Sequence, residues 1–217
     1  MKPGAPAVIF FDSETTGLPK DYKAPMSDTD NWPRMVQLAW LVHDIKGEVI
    51  RETSFIIKPE GFTIPDEVAK IHGITQTRAL KEGVELGQVM RAFDSDLTSV
   101  PLAVCHNVPF DRAITGAERV RLGLPWGFTT AFKDTMAEGT NMCRIPGPRG
   151  FKWPTLQELH TFLFGVGFEG AHDALADVKA CAKCYWEIQR RKNADPRAAA
   201  PQADPAGAPA KEAAHAF

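Results

Sequence analysis

Short apolar runs separated by polar stretches mark the first part of the chain. Residues 7–12 are predicted to form a buried strand, and the runs 35–43 and 49–58 predict two more strands. A polar loop over 18–34 and a turn over 44–47 connect them. This pattern is typical of a three-stranded meander.

Strand and helix patterns alternate in the rest of the chain. Residues 101–106 are apolar enough for a buried parallel strand, and residues 128–132 predict a fifth strand. The predicted helices run from Pro65 to Gly73, from Glu85 to Leu97, through Asp111 and Arg119, from Asp134, from Thr155, and from Asp173 to Arg191. A meander followed by strand–helix alternation predicts an α/β layered domain.

Composition indicates one globular domain followed by a tail. The chain has 217 residues, of which 44% are hydrophobic, and we assign residues 1–192 to the domain. Residues 193–217 are mostly Ala and Pro and predict a disordered tail. The four cysteines lack the spacing of a disulfide framework, so we expect reduced thiols.

Charge and hydropathy argue against two classes of protein. The formal net charge is −2 and the pI is about 6.3, whereas a protein that coats duplex nucleic acid is normally basic. Any contact with nucleic acid should therefore be local and short. No run reaches transmembrane length, and the first apolar run is too short for a signal peptide. We expect a cytoplasmic protein with no membrane contact.

Two carboxylates stand at the end of the first predicted strand. Asp12 and Glu14 are two residues apart, and residues at this spacing on a strand point to the same face. Two carboxylates at this short distance raise each other's pKa because their charges repel. A pair without a compensating cation is therefore costly. The pair therefore indicates a bound cation.

Two later segments carry further chemistry, although each alone has a purely structural explanation. Asp111 can be an ordinary first-turn acid of a helix, and Asp173 can be the N-cap of the last helix. His172 can be a partly buried surface histidine. The three acidic segments become informative only when they are considered together.

Together these segments resemble the three motifs of the DnaQ-like 3′–5′ exonucleases, in the branch with a histidine in the third motif (DEDDh). The motifs are Phe-Asp-Ser-Glu-Thr-Thr-Gly-Leu at 11–18, His-Asn-x-x-Phe-Asp at 106–111 and His-x-Ala-x-x-Asp at 172–177. The segment 71–75 is similar to one common in the proofreading subunit of bacterial replicative polymerases. The order and spacing match over roughly residues 7–190. The resemblance implies a ribonuclease H-like fold with a five-stranded mixed sheet.

The resemblance also implies a set of catalytic residues. Asp12 would bridge two Mg²⁺ or Mn²⁺ ions, while Glu14 and Asp177 would hold the ion that carries the attacking water. Asp111 would support the second ion. His172 would act as the general base, and an ordinary histidine pKa near 6.5 suits that task. Carboxylate-only ligands suit Mg²⁺ or Mn²⁺ better than zinc.

Helix geometry limits where the histidine can lie. Residues five apart on a helix are about 140° apart around the axis, so His172 must precede the helix if it joins Asp177 in one site. Asp173 is four residues before Asp177 and would share its face, so spacing alone leaves Asp173 open as a ligand. His106 is the rival base by position, but a structural or substrate-contact role is favoured because it ends a strand.

Substrate contacts are also implied by the resemblance. Thr15 and Thr16 would approach the terminal 3′-hydroxyl, Leu18 would press on the terminal base, and Asn107 would orient the second motif. For Leu18, simple loop packing is an equal alternative. Basic and aromatic residues between Pro and Gly over 144–153 form either a grip for a single strand or a solvated loop.

The function that follows is a metal-dependent 3′–5′ exonuclease. We expect it to release nucleoside 5′-monophosphates from single-stranded or frayed DNA ends in proofreading or repair. An RNA-trimming exoribonuclease or oligoribonuclease is the alternative, although oligoribonucleases commonly have Met in place of Thr15. An alternative of another class is a catalytically silent binding module that works through a DNA polymerase partner.

Overall fold

A five-stranded mixed sheet forms the centre of the structure, a computed structural model that describes residues 4–125 and 129–194. The strands are β1 (Val8–Thr15), β2 (Met35–His43), β3 (Val49–Ile56), β4 (Leu102–Cys105) and β5 (Ala131–Asp134). Their order across the sheet is β3-β2-β1-β4-β5. The five-stranded mixed sheet predicted from the sequence is thereby confirmed.

Strand β1 is the central strand, and its neighbours run in opposite directions. It pairs antiparallel with β2 along its length and parallel with β4, with Phe10 opposite Val104. Strand β5 continues the parallel half of the sheet beside β4. The carboxyl ends of β1, β4 and β5 therefore meet at one edge, which is where sites in such sheets form.

Helices cover both faces of the sheet. They are α1 (Asp66–His72), α2 (Gln76–Glu82), α3 (Leu86–Leu97), α4 (Val108–Arg121), α5 (Thr135–Cys143), α6 (Leu156–Phe164) and α7 (Ala174–Ala194). Ile9 and Phe11 of β1 share one core with residues of α3 and α4. Val8 and Phe10, which alternate with them, pack against α7 in a second core. Because both faces are covered, Val8 to Phe11 form a continuous buried run rather than an alternating one.

A local sequence signal sets the start of α6. Thr155 accepts a hydrogen bond from the Glu158 N–H at 3.1 Å, and the Glu158 carboxylate accepts one from the Thr155 N–H at 2.8 Å. These two bonds form a capping box, which satisfies two amides that the helix leaves free. The start of α6 predicted from this pair is confirmed.

Six elements differ from the sequence prediction. Strand β1 continues through Thr15, because its later residues stay paired with β2, and β3 ends at Ile56 instead of Lys58. Strand β5 lies at 131–134 instead of 128–132, and Phe128 itself falls outside the described residues. Helix α2 was not predicted, although Thr75 caps it. A short hairpin of β6 (Pro146–Gly147) and β7 (Gly150–Phe151) was also not predicted.

The C-terminal end of the domain is helical slightly further than predicted. Helix α7 includes Asn193 and Ala194, which the sequence assigned to the tail. The remainder of the predicted tail, 195–217, lies outside the described residues. Among the described helices, none combines the length and apolar character needed to cross a membrane.

Candidate active site

The first part of the site is on β1 itself. Asp12 lies opposite Ala39 and Glu14 lies opposite Gln37 in the antiparallel ladder with β2. Both carboxylates share the face of Phe10, which packs against α7. Strand periodicity therefore directs the two acids toward that helix.

Helix α7 brings a third carboxylate to the same place. Asp177 lies in its first turn, and ligand oxygens of Asp12, Glu14 and Asp177 are all within 4.8 Å of one another. Asp173 has a different role, since its Oδ1 accepts from the N–H groups of Leu175 and Ala176, each at 3.1 Å. The structure thus makes Asp173 the helix cap and Asp177 the member of the cluster.

Asp111 approaches the cluster from α4. It is 2% exposed, and its Oδ1 accepts from the Ser13 N–H at 3.1 Å and from the Ser13 hydroxyl at 2.8 Å. Ser13 lies between Asp12 and Glu14 on β1, so these two bonds attach the start of α4 to the strand that carries both acids. The other oxygen of the Asp111 carboxylate, Oδ2, takes no part in these two bonds.

The four carboxylates repel one another strongly. Burial, together with the charges of Asp111, Asp177 and Glu14, raises the pKa of Asp12 well above its ordinary value. Burial and the charges of Asp177 and Asp111 raise the pKa of Glu14 to about 8. The pKa of Asp111 is raised to about 7 by burial despite the Ser13 bonds, and burial raises that of Asp177 to about 6. A site built this way favours either protons or cations.

The donor set fits hard divalent cations. The three clustered donor groups are all carboxylates, and no histidine or thiol within the described residues joins them. Such oxygens suit Mg²⁺ or Mn²⁺. Mutual repulsion among these poorly solvated carboxylates supports a dependence on divalent metal.

The predicted base precedes the last helix. His172 has a left-handed backbone (φ 69°) in the turn before α7, and its N–H donates to Asp177 Oδ2 at 3.0 Å. The geometric condition that His172 lie outside the helix is therefore met. Its imidazole is close enough to His72 to contribute to the lowered pKa of that residue, for which burial is the main cause.

His106, the rival base, is held in the interior. Its Nε2 donates to the Pro154 carbonyl at 3.0 Å, and its Nδ1 lies 3.0 Å from the Thr135 hydroxyl. Because a carbonyl can only accept, Nε2 carries the proton. Burial lowers the pKa of His106 to about 4. His106 is a structural residue in this position.

The loop residues expected to contact substrate have mixed surroundings. The Thr15 hydroxyl donates to the Gly17 carbonyl at 2.7 Å, and the Thr16 hydroxyl accepts from the Arg34 N–H at 3.0 Å. Leu18 is 42% exposed, so its side chain is open to a ligand. These hydrogen bonds fix the loop that follows β1.

Asp134 organises the second motif, and sequence analysis assigned it no such role. Its carboxylate accepts from the N–H groups of Asn107 and Val108, both at 3.0 Å, and also caps α5 through Met136. Asn107 has a left-handed backbone (φ 79°), which Asn tolerates better than most residues. The signal available in the sequence was only that Asp134 could start a helix.

His72 is a second residue near the site that sequence analysis did not select. It is buried, its Nδ1 accepts from the Ile74 N–H at 3.1 Å, and Nε2 has no hydrogen bond among the described residues. The Thr15 carbonyl nevertheless lies near enough to raise its pKa against the larger effect of burial. The segment 71–75 that carries it was recognised only as a resemblance.

The raised pKa values of the four acids predict an unusual dependence of stability on pH. Without metal, the folded protein should hold protons that the unfolded chain has already released between about pH 4 and pH 8. Stability should therefore fall as pH rises through this window, and the melting temperature should be lower at pH 8 than at pH 6. Mn²⁺ at about 100 times its Kd should add about 2.7 kcal/mol to the free energy of unfolding. Each kcal/mol of this stabilisation raises the melting temperature by about 2–4 °C.

Two matched variants check this dependence by thermal melting in EDTA. Glu14→Gln should reduce the loss of stability between pH 6 and pH 8, because it removes one repelling charge. Glu85→Gln, the same change at an exposed position on the surface, should leave the dependence intact. A metal-free melting temperature that rises from pH 6 to pH 8 would contradict the electrostatics described above.

Comparisons with solved structures agree with this fold. The E. coli exonuclease I structure with a dT13 oligonucleotide is 22% identical, with a TM-score of 0.68 over 86% of this chain and 42% of that one. Its zinc-bound complex with single-stranded DNA is 23% identical, with a TM-score of 0.67 over 88% and 41%. The chain thus spans less than half the length of these proteins, whose likeness shows a shared ribonuclease H-like fold. No curated protein matches the sequence.

The sequence also matches a family model. The model of the RNase T group, described as "Exonuclease", covers residues 9–185 and so includes β1, α4 and the first half of α7. All three acidic motifs lie inside the matched range. The chain therefore belongs to this exonuclease family, as its resemblance to the DnaQ-like 3′–5′ exonucleases predicted.

Proposed function

We propose that this chain hydrolyses the last phosphodiester bond of single-stranded or frayed DNA in the 3′–5′ direction and releases nucleoside 5′-monophosphates. The observation that carries the proposal is the convergence of Asp12, Glu14 and Asp177 within 4.8 Å, with Asp111 tied to the strand between them. Buried carboxylates without cationic partners are costly, so such a cluster needs a chemical purpose.

The proposed ligands divide between two metal positions. Asp12 would contribute to both, Glu14 and Asp177 to one, and Asp111 to the other. When bound, two divalent ions stabilise the attacking and the leaving oxygens of a phosphodiester displacement. Ser13 holds one oxygen of Asp111, which fixes the direction of the other. The backbone N–H of His172 does the same for Asp177.

His172 is the proposed general base. It would take a proton from the attacking water while the water oxygen bonds to phosphorus and the bond to the 3′-oxygen breaks. Its place in the turn before α7, one hydrogen bond from Asp177, supports this role. The alternative base, His106, is less suited, because its Nε2 is already a donor to Pro154.

Several features favour single-stranded DNA as the substrate. Relatives of the same fold were solved with dT13 and dA16 oligonucleotides. The chain has a formal net charge of −2, which suits a short contact at a strand end rather than a duplex surface. Leu18, with 42% exposure, would contact the terminal base, and the loop of Thr15 and Thr16 would lie at the terminal sugar. Asn107 would hold the second motif in place.

Matched oligonucleotides test the substrate directly. DNA and RNA of one sequence, each single-stranded and as a mismatched duplex, would be incubated with Mn²⁺ and resolved at single-nucleotide length. We expect a ladder shortened from the 3′ end, with single-stranded DNA cut faster than RNA. Faster loss of RNA would favour the exoribonuclease alternative, and intact substrates would favour the silent binding module. A polymerase partner and a proofreading role remain predictions.

A further inference from the structure

A short hairpin projects from the domain between α5 and α6. Strand β6 pairs with β7, with Pro146 opposite Phe151 and Gly147 opposite Gly150, so Pro148 and Arg149 form the turn. At its base, the Lys152 N–H donates to the Ile145 carbonyl at 2.9 Å. The hairpin is therefore an ordered element with a two-residue tip.

The base of this hairpin is attached to the active-site edge of the sheet. Pro154 follows the hairpin, is buried, and accepts the 3.0 Å hydrogen bond from His106 Nε2. Strand β4 runs parallel to β1, with Phe10 opposite Val104, and His106 directly follows its last residue, so His106 lies at the same carboxyl edge of the sheet as Asp12. The anchor of the hairpin thus lies next to the carboxylate cluster.

Packing holds this anchor in place. A Cβ atom at Gly139 of α5 would lie 3.4 Å from Pro154 Cγ and 2.8 Å from Leu159 Cδ1, so the missing side chain makes room for both residues. Pro146, Pro148 and Pro154 also restrict the backbone of the segment. The hairpin is consequently presented to solvent from a fixed base.

The exposed part of the hairpin has the composition of a surface that binds single-stranded nucleic acid. Residues 148–153 are all exposed, and Phe151 and Trp153 keep 50% and 42% of their surface in solvent. Exposed apolar side chains that lie close together, rather than singly, mark interaction sites, and these two rings are only two residues apart in one hairpin. The segment 144–153 contains Arg144, Arg149 and Lys152 and no acidic residue, whereas the neighbouring cluster is entirely acidic.

We infer that the hairpin 144–153 binds the nucleotides immediately 5′ of the terminal one, with Phe151 and Trp153 as base-stacking platforms and Arg149 at a phosphate. This inference rests on the proposed function and adds a second contact region to it. The 3′-terminal nucleotide occupies the carboxylate cluster in that proposal, so any further contact with the same strand has to lie on its 5′ side. Phe151 ends β7, and the bond from the Lys152 N–H to the Ile145 carbonyl continues the hairpin pairing by one residue, so the two-residue strand period would place Phe151 and Trp153 on one face.

Lys152 lies between the two aromatic residues in the sequence and has a different role. Its Nζ lies 2.6 Å from Glu158 Oε1 at the start of α6, so the charge of Lys152 forms an ion pair at the base of the hairpin. A single strand that follows the exposed face would meet two rings and the Arg149 guanidinium. Stacking on aromatic rings tolerates every base, so this surface would add affinity without selecting a sequence.

Fluorescence anisotropy with a 5′-labelled twelve-nucleotide dT strand tests the inference. Asp12→Asn serves as the background so that the strand stays intact. Adding Phe151→Ala and Trp153→Ala together should raise Kd about twenty-five-fold or more, since stacking on each ring typically contributes about five-fold or more. Adding Arg149→Ala should reduce the slope of log Kd against log salt concentration by about 0.7.

Matched changes separate stacking from folding defects. Trp153→Phe keeps an aromatic face and should retain most of the affinity lost in Trp153→Ala. Phe162→Ala, at an aromatic residue of 44% exposure further along α6, should leave Kd within two-fold. All variants should melt near the parent protein, because none of the replaced side chains belongs to the buried core.

The nuclease assay distinguishes failure of this inference from failure of the proposed function. With catalytic activity intact, the Phe151/Trp153 double variant should lose about five-fold more kcat/KM on the twelve-nucleotide strand than on a dinucleotide, which offers only one base to the two rings. Equal losses on both substrates, or an unchanged Kd, would overturn the hairpin contact while leaving the exonuclease proposal standing. A parent protein that neither binds nor cleaves the strand would overturn both.

Discussion

Asp12→Asn should abolish nuclease activity and at the same time make the metal-free protein more stable. Asp12 interacts with every other acid of the cluster. Burial raises its pKa, and the charges of Asp111, Asp177 and Glu14 raise it further. If Asp12 is the shared metal ligand proposed above, its loss should cost about 4 kcal/mol or more of transition-state stabilisation, which is a thousand-fold or more in rate. Removing one repelling charge should raise the melting temperature in EDTA at pH 8.

The matched control is Asp173→Asn on α7. Asp173 lies four residues before Asp177, but its Oδ1 accepts from two backbone N–H groups of the helix start. Asn is about as good an N-cap as Asp, so this variant should keep its stability and its activity within a few-fold. Activity lost equally in both variants would make Asp173 a ligand and contradict the division between cap and cluster. An Asp12→Asn protein that cleaves normally would remove the basis of the proposed site.

His172→Ala should lower kcat by about 10²–10⁴-fold, the usual contribution of a positioned general base. A base has to be unprotonated to work, so the parent enzyme should lose activity as pH falls, and the variant should lack the part of that loss that belongs to the histidine. The measurement is kcat against pH at saturating Mn²⁺, on the single-stranded DNA substrate.

His106→Asn is the comparison for this experiment. The hydrogen bonds of His106 to Pro154 and Thr135 lie within the fold, so its replacement should lower the melting temperature. The shape of the pH profile should not change, because a residue whose Nε2 already donates cannot accept a proton there. A pH profile that changes in His106→Asn and persists in His172→Ala would exchange their roles.

The sequence was most informative where one strand or one helix carries the chemistry. The spacing of Asp12 and Glu14 alone was enough to place both on one face, because a strand has a period of two. The 3.6-residue helix repeat showed that His172 must precede α7, and the structure places it there. The choice between Asp173 and Asp177 was not available from spacing, since both fall on the same helix face.

Contacts between distant segments could not be predicted from local patterns. The bonds of Ser13 to Asp111 join residues 98 apart in the chain, and those of Asp134 to Asn107 and Val108 join residues about 27 apart. Helix α2 has only Ala79 buried, so it lacks the apolar stripe from which a helix is usually recognised. Strands β6 and β7 have two residues each, too few for any periodicity.

The two caps made by Asp134 have a consequence for cooperativity. One carboxylate holds the first amides of α4 and also the first amides of α5, so neither helix start can open without weakening the other. Asp111 is in the first turn of α4, and α5 leads directly into the hairpin 144–153. A local fluctuation that releases Asp134 would therefore disturb the acidic centre and the hairpin in a single event. In such a molecule the two regions are expected to keep, or lose, their order together.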